Sequence, residues 1–154
     1  MTSLYGLLLQ SSGLSEVESA SLHKMPYETV AAWSHGTAAP SDEALRFLYR
    51  LIDLQNHAAH WVLHMLKQES ETASRRIVTI CITDDENQSG TLGWPTASAM
   101  NAAVRRLLEI AGDDLRSRIQ LVFNPEPGEP GVHFVGTRLR PDGTPEAPGQ
   151  TTDE

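Results

Sequence analysis

Cysteine is almost missing from this 154-residue chain: Cys81 stands alone, so no internal disulfide can staple the fold. Basic groups are also scarce, with 12 Lys and Arg against 20 Asp and Glu, a formal net charge of −8. That balance excludes an indiscriminate polyanion binder and predicts weak nonspecific affinity for nucleic acid, although a local basic stripe is still enough for a specific reader. No apolar run approaches the ~18–20 residues that cross a bilayer. The run Leu4-Tyr5-Gly6-Leu7-Leu8-Leu9 lacks the basic leader and small-residue cleavage site of a secretion signal. With one cysteine, these absences point to the cytoplasm. There is no phosphate-cradling glycine loop, no Cys/His nucleophile pair and no G-x-S-x-G elbow. The expectation is therefore a protein that is not an enzyme, with no cofactor, no metal and no small-molecule ligand.

What is present suffices for one ordinary core or two small modules. A first helix starts at Thr2 or Ser3 and ends at Ser11-Ser12-Gly13. Leu14 to Gly36 then has the length and punctuation of a helix-turn-helix. Ser15 caps a short helix, with Glu18 at capping-box spacing. Lys24-Met25 makes a tight turn, Pro26 is tolerated in the first turn of a second helix, and Gly36 stops it in a left-handed conformation. Ser19 and His23 stand where repressor-like domains often place leucine. A register shifted by one would instead turn Val17, Ala20 and Leu22 inward. Thr37-Ala38-Ala39-Pro40 is a connector, Ser41 an N-cap, and a long helix runs from there to about Gln68. Leu45, Leu48, Leu51 or Ile52, Ala58, Trp61 or Val62, and Met65 recur along it at helical spacing.

The pattern changes after Glu69. Ile77 to Ile82 is a short β-branched run that reads as a strand covered on both faces. Asp84 to Gly93 reads as a polar loop. Trp94-Pro95 opens a helix carrying Ala99, Met100, Ala103, Leu107 and Ile110, which Gly112 can close. Ile119–Phe123 and Val132–Val135 are two further strands, the last one a candidate hairpin partner. A sheet so small exposes an edge and an apolar face that a second copy can cover. From Arg140 on, prolines, glycines and acids read as a disordered acidic tail. The expected fold class is α+β. Residues 1–69 form a helix-turn-helix bundle with a long linking helix, 75–139 a small α/β dimerisation module, and 140–154 the tail.

Trp33-Ser34-His35-Gly36, Pro40 with the long helix after it, and Leu92-Gly93-Trp94 leading into a helix with Ala99, Ala102 and Ala103 together resemble the YdiL-like helix-turn-helix proteins. That group includes anti-CRISPR-associated autorepressors, and the resemblance covers about the first two-thirds of the chain. It implies a homodimer joined through the C-terminal module, reading an inverted repeat in a promoter of its own. Positions where family members can carry Arg and Gln on the second helix hold Glu28 and Ala31 here.

The exposed face of that second helix offers Tyr27, Glu28, Ala31, Ala32 and His35. Glu28 can accept from a cytosine amino group, Thr29 can serve phosphate or base, and Ala31 or Ala32 can meet a thymine methyl. Tyr27 can reach a phosphate, as can Lys24, Arg46 and Arg50, the last two at i, i+4 on one helical face. The competing reading of each is an ordinary solvated surface. From residue 1 to 69 four basic groups face seven acids, so any basic stripe is local. His57, His60 and His64 share one stripe, but zinc needs four ligands and none is supplied nearby, so a polar edge beside Trp61 is the simpler reading. Asp84-Asp85-Glu86 lacks the second carboxylate cluster of a magnesium site and reads as a solvated turn. The expected function is a sequence-specific DNA-binding regulator, a homodimeric (auto)repressor. The alternative is a protein-interaction module, antitoxin-like or an adaptor subunit, on the same scaffold.

Overall fold

The computed structural model describes residues 2–72 and 76–137, with only the backbone of 70–72. Among them the chain is α+β, with helices and a three-stranded parallel sheet. Four helices come first: α1 (Leu4–Ser12), α2 (Glu16–His23), α3 (Tyr27–His35) and the long α4 (Asp42–Thr72). Contacts divide the chain into two compact units, Met1–Leu54 and Gln55–Glu154. The division falls inside α4, whereas the sequence alone puts the boundary in the polar run after Glu69. The expected tail at 140–154 lies outside the described residues.

The first unit is built on its caps. Ser3 caps α1 by accepting from the Gly6 N–H, and Gly13 ends that helix with φ 78°. Ser15 and Glu18 form the reciprocal capping box of α2, with Glu18 Oε2 accepting from the Ser15 N–H at 2.7 Å. Lys24 takes the left-handed turn position at φ 53°, Pro26 is the N-cap of α3, and Gly36 closes α3 at φ 78°. Ser41 Oγ accepts from the Ala44 N–H and starts α4. These satisfy helix-end groups that would otherwise be orphaned, so the breaks between helices are set locally.

The core of this unit bears out the shifted register at Ala20, which is buried, and corrects it at Val17. Val17 is 67 % exposed, while Ser19 faces inward and its hydroxyl meets the Tyr5 hydroxyl at 2.6 Å. His23 also faces inward, its ring edge-on to Trp33 and, at 5.1 Å between centroids, to Phe47 of α4. Polar atoms thus occupy the leucine-type positions and are tolerated because one is hydrogen-bonded and the other meets aromatic rings edge-on. The His23 Nε2 is buried without a hydrogen-bond partner among the described residues. Burial pulls its pKa below the ordinary 6.5, against an upward pull from Glu43. An imidazole held neutral in the fold protonates first in the unfolded chain. The unit should therefore have full stability above about pH 6.5 and lose it as pH falls from there toward the folded value. Thermal melts on either side of that range should show the acid-side loss, and His23→Leu should flatten it. An unchanged slope in the variant would remove His23 as its origin.

Along α4 the buried positions up to Leu54 are Ala44, Leu48 and Leu51, followed in the second unit by Gln55, Ala58, Ala59, Val62, Leu63 and Leu66. This 4-3 alternation is a coiled-coil-like seam. Leu45, Ile52, Trp61 and Met65, offered by helical spacing, sit half-buried at its flanks. Gln55 breaks the apolar run, and its Nε2 donates to the Ala99 carbonyl at 3.0 Å.

The second unit carries β1 (Val78–Ile82), α5 (Glu86–Thr91), α6 (Ala97–Ile110), α7 (Asp113–Arg116), β2 (Ile119–Phe123) and β3 (Val132–His133). The sheet order is β2-β1-β3, and both neighbours run parallel to β1. A hairpin to the third strand is therefore wrong: residues 124–131 carry the chain past β1 to its other side, and only two residues pair there. The supposed loop from Asp84 to Gly93 contains α5, whose N-cap Asp85 accepts from the Asn87 and Gln88 N–H groups. Its sequence, with Ser89 and Gly90, has poor intrinsic helix propensity, so periodicity alone does not reveal it. Thr96, and not Trp94-Pro95, starts α6, and Ala111 rather than Gly112 ends it. Gly112 instead begins the four-residue α7. β1 is central, with Ile80 and Cys81 fully buried, although Ile77 just before it is 61 % exposed. Burial raises the Cys81 thiol to about 11, which keeps it protonated and unreactive.

Candidate nucleic-acid interface

The site is built where α2 and α3 meet across the turn 24–26. Val30 and Trp33, three residues apart, turn one face of α3 into the core, with Trp33 6 % exposed. Trp33 meets Tyr5 of α1 edge-on at 5.5 Å and His23 of α2 at 6.4 Å. It therefore anchors α3 on α1 and α2. Ser3 strengthens that seat. Its hydroxyl donates to the Trp33 and Ser34 carbonyls, and its N–H donates to the Ser34 carbonyl at 3.2 Å. The last carbonyls of α3 are thus held by the first turn of α1.

The opposite face of α3 is only partly covered. Tyr27, Glu28 and His35 are exposed, while Thr29, Ala31 and Ala32 are half-buried. The two alanines at its middle leave no side chain to hold a groove away, so a backbone or base edge can approach closely. Glu28 is exposed at the helix start and makes no ion pair among the described residues. Lys24 is exposed in the turn, and Arg46 and Arg50 are exposed one turn apart on α4. Neither arginine makes an ion pair among the described residues. All nine candidate contacts belong to the same unit.

Sequence reasoning missed Glu16. From α2 its Oε2 accepts a hydrogen bond from the Tyr27 hydroxyl at 2.9 Å, and its Oε1 lies 3.5 Å from His35 Nε2. The hydrogen bond to this carboxylate raises the Tyr27 phenol above its ordinary value. Tyr27 and His35, eight residues apart in sequence, are thereby tied to one acidic residue at the edge of the α3 face. Glu16 directly follows the N-cap Ser15, and its sequence position advertises only a favourable charge at a helix start. Ser3 was equally hidden, because its second role is toward a helix thirty residues on.

The other constellations stand in the second unit. His57, His60 and His64 are exposed in the second unit. His64 Nε2 is 3.1 Å from Gln68 Nε2, and its ring is tilted over Trp61 at 6.2 Å. No group of three metal-ligating side chains converges among the described residues. Asp84, Asp85 and Glu86 are each engaged in holding the fold. Asp84 accepts from Asn124 Nδ2, Asp85 caps α5, and Glu86 accepts from the Ala97 N–H. No described helix is long and apolar enough to cross a membrane. No family model matches the chain, and no curated protein matches it.

Proposed function

We propose that the chain is a sequence-specific DNA-binding transcriptional regulator. It acts as a homodimer that occupies an inverted repeat in a promoter, its own included, as the resemblance to the YdiL-like helix-turn-helix proteins implies. In this reading α3 enters the major groove, α2 crosses the phosphate backbone, and the second unit joins two copies. Double-stranded DNA and a second copy are its partners, the cytoplasm is its place, and it has no catalytic role.

One observation carries the proposal. The α2–turn–α3 hairpin has a three-residue turn, and α3 is seated on its inner face by Trp33 and Ser3 while its outer face sets two half-buried alanines between exposed Tyr27, Glu28 and His35. In this reading Glu28, Thr29, Ala31 and Ala32 read base edges, Tyr27, His35 and Lys24 act at the margins, and Arg46 and Arg50 supply phosphate contacts. With so few cations, binding should have a shallow salt dependence. Anisotropy titrations of a labelled random-sequence duplex at rising salt should give a log–log slope of only a few. Arg46→Ala and Arg50→Ala should each lower it by about 1 while weakening all sequences alike.

The surroundings of α3 favour one second reading. Glu16 holds both Tyr27 and His35, Glu28 lies on the same helix, and α3 has no Lys or Arg. That chemistry suits a basic protein surface, as in an antitoxin-like or adaptor subunit. Absence of duplex binding at low salt, with indifference to both arginine substitutions, would transfer the assignment to this reading.

A further inference from the structure

The two edges of the sheet are unlike. β3 pairs over only two residues, Val132 and His133, and follows directly on Pro130 and Gly131, so it offers an incoming strand almost nothing. β2 is paired on one side over five residues, Ile119-Gln120-Leu121-Val122-Phe123, and among the described residues its other side is the end of the sheet. Edges of this length are normally blunted by a lysine, a proline, a bulge or an inward charge, and β2 has none of these.

The hydrogen-bond phase of that edge follows from the two bonds at its ends. The Val78 N–H donates to the Arg118 carbonyl at 2.8 Å, and the Asn124 N–H donates to the Ile82 carbonyl at 3.0 Å. In a parallel ladder alternate residues address the same neighbour. Gln120 and Val122 therefore turn their backbone groups to β1, and Ile119, Leu121 and Phe123 turn theirs outward. The side chains of those same three residues share one face of the sheet. Leu121 is 46 % and Phe123 59 % exposed.

We infer that this edge is where two copies of the chain join, β2 against β2 in antiparallel fashion, with the two-fold axis passing at Leu121. In that register Leu121 lies opposite the partner's Leu121, and Ile119 lies opposite the partner's Phe123. Each is a hydrogen-bonded pair, about six bonds in all. The apolar side chains then meet on one face, as an isologous contact requires. Charge selects a second copy as the occupant. The chain carries −8 overall, but β2 carries no charge, so two such strands meet without repulsion along their length. At each end Arg118 comes opposite the partner's Asn124, whose side-chain amide donates to Asp84 at 2.7 Å. A cation already flanked by Asp114 thus gains a second carboxylate across the interface. The inference rests on the dimeric half of the function proposed above and is independent of DNA.

Light scattering of the full chain at micromolar concentration, without DNA, tests it. The wild-type protein should weigh twice its chain mass of 16.9 kDa. Leu121→Lys with Phe123→Lys places like charges across the axis and should weaken the dimer on the order of 100-fold. Both side chains are exposed in the single chain, so its circular dichroism and Trp fluorescence should be unchanged. Leu121→Pro is the second variant: it removes one outward N–H and leaves the ladder to β1 intact. It too should be monomeric. A monomeric wild type overturns the joint and the dimeric regulator together, while a monomer that binds one half-site keeps the DNA reading. A dimer that survives both variants overturns the β2 joint alone and moves the interface elsewhere.

Discussion

Trp33→Ala should destabilise the helical unit by about 3–5 kcal/mol, the usual cost of removing a buried tryptophan. The indole is 6 % exposed, stands edge-on to Tyr5 and His23, and comes from the helix whose other face is proposed to meet DNA. Its loss opens a cavity among α1, α2 and α3, and capped helix ends cannot slide in to fill it. Because aromatic edge contacts add about 0.5–1.5 kcal/mol each to area burial, Trp33→Phe should recover part of the loss. Chemical denaturation followed by far-ultraviolet circular dichroism measures both. A midpoint unchanged in the alanine variant would mean that α3 is seated by its other face, and the proposed reading surface would be the core.

Gly6 should be the least replaceable small residue of the same unit, against its local propensity. In a helix interior alanine is favoured over glycine by about 0.8–1 kcal/mol, so α1 alone would welcome Gly6→Ala. A Cβ at this position would lie 2.6 Å from the Ser34 carbonyl oxygen and 2.9 Å from Thr2 Cγ2. The first of these is backbone, and it is held by Ser3, so α1 and α3 must move apart. Overpacking of this kind costs about 1–3 kcal/mol. The clash wins: Gly6→Ala should destabilise modestly, and Gly6→Val, which loses the propensity gain as well, by about 3 kcal/mol. If α3 reads DNA as proposed, the same shift should also reduce DNA affinity, because it tilts that helix. A stabilised Gly6→Ala would show that α1 and α3 have room between them.

The helical half of the fold was legible because its signals are local. Ser15 with Glu18, the Lys24 turn, Gly13, Gly36 and Ser41 each act within a few residues, and each appears at its expected place. The register of α2 was harder, since Ser19 and His23 are polar and only the distant Tyr5, Trp33 and Phe47 make them inner residues. In the second unit β1 and β2 declared themselves through β-branched runs. The direction of β3 did not, because two paired residues carry no directional signal, and α5 was masked by glycine, serine and threonine. Of the candidate site, the exposed face of α3 follows from helical spacing. Glu16 does not, as its ties to Tyr27 and His35 are made by tertiary approach.

Selection from random duplexes at low salt decides whether the α3 face reads duplex DNA. Wild-type protein and Glu28→Ala should be carried through in parallel and the recovered pools sequenced. The proposal predicts an enriched inverted repeat for the wild type. For Glu28→Ala it predicts the same repeat with preference relaxed at one base pair per half-site, by roughly 1–3 kcal/mol. A pool that stays random for the wild type, or an enriched repeat that Glu28→Ala leaves untouched at every position, would contradict it.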